Sequence, residues 1–71
     1  MHAPVKALLV ETTNPLAGNL RGRTGDLYCE VGVRCIFEGL LTSAVEGIVW
    51  FGRRLEVHTR NSRYLFELCE R

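Results

Sequence analysis

A single aspartate, a single lysine and a single tryptophan are all that this 71-residue chain holds of those types. With Asp26 alone, and His58 the one histidine besides His2 near the start, the parts for acid–base chemistry are few. Ser43, Ser62 and the cysteines stand in no nucleophile-elbow or papain-like surroundings, so an enzyme is not expected. Charge of one sign is also lacking. Nine basic and eight acidic residues leave a net charge of +1, which provides no field of the kind that marks a dedicated nucleic-acid binder. Long apolar runs are absent near the start, where Ala7-Leu8-Leu9-Val10 is the longest. That is too short for a signal-peptide core or a membrane span. A soluble cytoplasmic protein, or a phage-encoded one acting in the cytoplasm, with no membrane partner, is the expectation.

Cysteine is scarce and odd in number. Cys29, Cys35 and Cys69 form no Cys-x-x-C, which argues against a disulfide framework or a zinc site. On one straight strand Cys29 and Cys35 would lie about 20 Å apart at ~3.3 Å per residue, out of bridging range. They are expected to be small core residues. His58, Glu56 and Glu67 could share a sheet face, but Arg54 lies diagonally within reach of Glu67, and an ion pair suffices there. No metal and no cofactor are expected.

What the chain does have is apolar content, 46% of its residues, which is globular rather than disordered. One domain, residues 1–71, accounts for the length. A chain of this size buries only about 60% of the surface its unfolded form exposes, so some apolar surface is expected to face a partner.

Alternation of apolar and polar residues points to strands. In Leu27–Glu38, Leu27, Cys29, Val31, Val33, Cys35 and Phe37 share one parity, and mostly polar residues the other. This predicts one half-buried strand, with Gly32 marking a bulge or bend. VKALLVE, residues 5–11, predicts a short strand. Residues 12–26, with Asn14-Pro15, Gly18-Asn19, Gly22 and Gly25-Asp26, predict a mobile loop or an irregular extended piece over Leu16–Arg23. Residues 43–51 read two ways. Ser43-Ala44-Val45-Glu46 fits a helix capping box. Val45, Ile48, Val49, Trp50 and Phe51 favour a strand, the reading preferred here.

Residues 54–69 predict a hairpin with an even-numbered loop at Asn61-Ser62 or Arg60–Arg63. Either loop sets Thr59 opposite Tyr64, Val57 opposite Phe66 and Leu55 opposite Leu68, so that the apolar faces coincide. The expected fold is therefore all-β or nearly so: a small curled antiparallel sheet or SH3-like barrel of four to five strands with a C-terminal hairpin.

If Val45 and Val49 face inward, Ile36, Ile48, Trp50 and Leu65 fall on the outer face. Such a patch marks an interface. The expected role is a non-enzymatic, self-associating or protein-binding module, a dimer being favoured, with edge pairing adding backbone hydrogen bonds. The alternative is nucleic-acid binding through arginines and aromatics: Arg21, Arg23, Arg53, Arg54, Arg60, Arg63 and Tyr64, with Trp50. Glu30, Glu46, Glu56 and Glu67 would oppose a phosphate backbone, and a hairpin tip needs polar residues in any case.

The pattern Thr42-Ser43-Ala44-Val45, then a Gly, then Thr59-Arg60-Asn61-Ser62-Arg63-Tyr64 resembles one in short uncharacterised bacterial and phage proteins, over residues 40–68. The resemblance implies a small, mainly β domain and brings no catalytic residues with it.

Overall fold

The structure, a computed structural model, describes residues 4–69. Six strands come in order: β1 (Val5–Thr12), β2 (Thr24–Tyr28), β3 (Arg34–Phe37), β4 (Leu40–Phe51), β5 (Arg54–Thr59) and β6 (Arg63–Leu68). All neighbours pair antiparallel, and β1 pairs with β6 to close a barrel. The nearly all-β, curled-sheet expectation holds, with six strands in place of four to five.

The extra strand comes from a break in the segment expected to be one. The chain runs straight only to Tyr28. Glu30 to Val33 then form a turn, Val33 N–H donating to the Glu30 carbonyl at 3.0 Å, with Gly32 at φ 89°. That left-handed backbone suits a residue without a Cβ, and it sends the chain back as β3.

The 12–26 segment is also more ordered than expected. Pro15–Leu20 make a short 3-10 helix, with Pro15 at its start and the Asn14 side chain accepting from Leu16 N–H at 2.9 Å. This is the N-cap arrangement, a side-chain oxygen satisfying an orphan donor. Ala17 of this helix is buried against the barrel. The strand reading of 43–51 is correct, and β4 extends over twelve residues.

Inside the barrel lie Ala7, Leu9, Leu27, Cys29, Cys35, Phe37, Val45, Leu55, Val57, Tyr64 and Phe66. Phe37 and Phe66 meet edge to face with centroids 5.1 Å apart, a geometry that adds about 0.5–1.5 kcal/mol beyond area burial. No buried side-chain N or O atom among the described residues lacks a partner.

The C-terminal hairpin forms with an even-numbered loop, as expected, but the loop is Arg60-Asn61 rather than Asn61-Ser62 or Arg60–Arg63, and the register is shifted by two residues. Val57 pairs with Tyr64, Leu55 with Phe66 and Arg54 with Glu67. A shift of two keeps every side chain on its face. It arises because Thr59 and Ser62 close the turn around Arg60-Asn61. Thr59 N–H donates to the Ser62 carbonyl at 2.9 Å, and the Thr59 hydroxyl accepts from Ser62 N–H at 3.2 Å. Leu68 then pairs with Ala7 of β1 instead of Leu55.

Candidate interaction surface

β4 carries register shifts at both flanks. Between Arg34 and Ile36 of β3, β4 advances from Ala44 to Leu41, one residue too many. Between Val45 and Gly47 a second extra residue, Glu46, stands across from β5. Each bulge reverses the parity of the residues beyond it. Paired residues in an antiparallel sheet point to the same side, so Ile48, opposite buried Val57, faces inward, and Val49, opposite Glu56, faces outward. The expectation that Val45 and Val49 share the inner face is overturned for Val49, which is 51% exposed.

The four expected interface residues therefore do not form one patch. Ile48 is half-buried and packs on the core. Leu65 is half-buried, between Glu56 of β5 and Glu11 of β1. Trp50 pairs with Leu55 but lies at the end of the barrel, 52% exposed. Ile36 is exposed on the middle of β3.

Around Ile36 the structure assembles a surface that the sequence pattern did not indicate. Its cross-strand partner Leu41 is 56% exposed. On the other side Ile36 pairs with Tyr28, whose hydroxyl donates to Glu30 at 2.8 Å. That bond to a carboxylate, and the charge behind it, raise the Tyr28 phenol above its usual value. Val31 and Val33 stand exposed on the adjoining turn. Their backbone is fixed: Gly32 N–H donates to the Val45 carbonyl at 2.8 Å, and Val45 N–H to the Val33 carbonyl at 3.0 Å. Val33, Arg34, Ile36, Leu41, Ser43 and Ala44 are among the residues that line one open hollow. Arg34 and Glu46 are exposed, and neither has a charged partner among the described residues. A second exposed group, Val49, Trp50 and Phe51, lies at the far end of β4.

The basic candidates are scattered. Arg21 pairs with Glu11 at 2.7 Å, and that hydrogen bond, with the guanidinium charge, holds the Glu11 carboxyl below its usual range. Arg54 pairs with Glu67 at 3.0 Å, as a direct cross-strand neighbour rather than a diagonal one. Arg53 donates to the Leu68 carbonyl at 2.8 Å. Arg23, Arg60 and Arg63 are exposed. Tyr64 is only 2% exposed, stacked on Phe66, with its hydroxyl accepting from Asn14. Tyr64 is thus a core residue, with no face open to a nucleic-acid base. His58 Nε2 lies 3.1 Å from Glu56 Oε1 on the outer side of β5.

Among the described residues no helix is long and apolar enough to cross a membrane. No family model, curated protein or solved structure matches the chain.

Proposed function

We propose that this protein is a non-enzymatic module that associates with itself through the outer face of β3 and β4. The exposed Ile36–Leu41 pair, beside Val31 and Val33, carries the reading. The barrel is already filled, so these side chains have no further core of their own to enter. Burying a large aliphatic side chain contributes about 1.5–3 kcal/mol, against an association cost of roughly 4–15 kcal/mol. A few such residues therefore suit a dimer of micromolar rather than nanomolar strength.

Because β1 and β6 close the ring, contact by edge pairing loses its support, and contact through side chains replaces it. A second copy fits this face by charge. Exposed Arg34 lines the hollow, and exposed Glu46 follows Ala44 by two residues on β4, so a two-fold contact can bring opposite charges together. Cytoplasmic placement fits three unbridged cysteines.

Sedimentation across micromolar concentrations tests the reading. Self-association that Leu41→Asp abolishes supports it. A strict monomer contradicts it.

A second reading, contact with single-stranded nucleic acid, is favoured by the half-exposed Trp50 and Phe51 beside Arg53. Trp50 is the sole tryptophan, so its fluorescence reports directly. An unchanged signal with oligonucleotide at low salt removes this reading.

A further inference from the structure

The pairing of β2 with β3 runs Leu27 to Phe37 and Tyr28 to Ile36. One step further, that register sets Cys29 opposite Cys35. Directly opposed antiparallel residues stand about 4.5–5.5 Å apart at Cα, inside the range a disulfide needs. Both side chains are fully buried in the core, and each thiol shifts the titration of the other, Cys29 downward and Cys35 upward. The chain reversal at Gly32 produces this, and it overturns the expectation that the two cysteines lie too far apart to bridge.

We propose that Cys29 and Cys35 form a reversible dithiol–disulfide site oxidised by a hydroperoxide. The Cys29 sulfur attacks one oxygen of hydrogen peroxide. An S–O bond forms, the O–O bond breaks, and the departing hydroxide takes the thiol proton to leave as water. The Cys35 sulfur then displaces hydroxide from the sulfenic acid, forming S–S and breaking S–O. That hydroxide leaves as water with the Cys35 proton. Two thiols lose two electrons, and one peroxide becomes two waters. A thiol reductant reverses the step by exchange.

The direction of the two shifts favours Cys29 as the first thiol to react. The neighbouring thiol lowers Cys29 and raises Cys35, which burial raises further. Access follows from the fold. Two residue pairs are all that join β2 to β3, the thinnest seam in the barrel. Local opening there, rather than global unfolding, admits the oxidant. The site also bears on the surface above it, because Val31 and Val33 ride on the turn that the bridge would staple.

The test uses the full chain carrying Cys69→Ser, which removes the half-buried third thiol. The folded protein is treated with hydrogen peroxide, unfolded, alkylated with iodoacetamide and weighed intact. A loss of about 2 Da, with no alkylation and full reversal by dithiothreitol, is expected. The bridge raises the thermal midpoint by roughly 5 °C or more, and sub-denaturing urea speeds the reaction. Two alkylated cysteines, a gain of oxygen atoms that dithiothreitol does not reverse, or a lowered midpoint each overturn the proposal. The readout is covalent mass in one chain, so it stands or falls separately from self-association.

Discussion

Asn14 donates from its side-chain amide to the Tyr64 hydroxyl at 2.9 Å across fifty residues of sequence. The same Asn14 caps the 3-10 helix through its other side-chain atom, which accepts from Leu16 N–H. One residue thus ties the segment after β1 to the start of β6. Tyr64→Phe should cost about 1 kcal/mol, the usual net worth of such a bond. Asn14→Ala removes the bond and the cap together and should cost about 2 kcal/mol. Urea denaturation of the two single variants and the double variant checks the coupling. If the costs simply add, the bond does not stabilise the fold in solution.

Ile36→Asp and Arg34→Glu should weaken self-association while shifting the thermal midpoint by no more than a few degrees, since both positions are exposed. Phe66→Ala is the opposite case. It opens a cavity beside Phe37 and should cost about 3–5 kcal/mol, enough to unfold a domain of this size. For the charge pair, Arg34→Glu combined with Glu46→Arg should restore the association that either change alone reduces. Failure of that rescue in an associating protein would show that the two charges do not meet.

How much of this was legible beforehand depends on where the pleat is regular. Residues 54–59 and 63–68 each alternate, with the parity changing across the loop, so the hairpin and its buried face could be read directly. Its register could not, because a shift of two leaves the pattern unchanged. β4 hid its faces behind the bulge at Glu46, which no residue type announces. Ile48 and Val49 exchanged sides as a result. The reversal between Cys29 and Cys35 was hidden in the same way: their even spacing suits a straight strand as well as a tight turn, and Gly32 at φ 89° marks the turn. Tyr64 looked like part of an arginine-rich tip because its neighbours are polar, whereas its inward parity with Phe66 was the better guide.

Tyr28 gives a prediction in pH. Its phenol is raised by its bond to Glu30. The group carries its proton in the favoured state, so its stabilisation is fully present below the ordinary tyrosine value and is lost as pH rises through the elevated one. Phenolate absorbance should show a late transition belonging to Tyr28. Glu30→Gln should move that transition to lower pH, and Tyr28→Phe should delete it. A late transition that survives Tyr28→Phe would assign it elsewhere.

The β3–β4 turn offers a stabilising change. Glu38 sits at φ 47° and Gly39 at φ 84°, the positive values that a two-residue hairpin turn favours and that Asn-Gly satisfies best. Glu38 spends its side chain over Gly25, accepting from Asp26 N–H at a long 3.3 Å. Relief of a left-handed glutamate, worth about 1 kcal/mol, outweighs an exposed bond of that length. Glu38→Asn should therefore raise stability by roughly 0.5 kcal/mol. A fall in the thermal midpoint would show that the Asp26 contact matters more than the backbone.

The ring is closed by its first strand meeting its last. Cys69 N–H donates to the Lys6 carbonyl at 3.0 Å, so the two ends of the described chain run side by side. No shorter stretch beginning at β1 can complete the circle, and hairpins formed early must wait for β6 before their interior is sealed. The same adjacency means that a short peptide could link the chain near Lys6 to the chain near Cys69, with the cut made instead at Gly52, in the β4–β5 turn. Such a rearranged chain would carry its seam where the present one carries a loop.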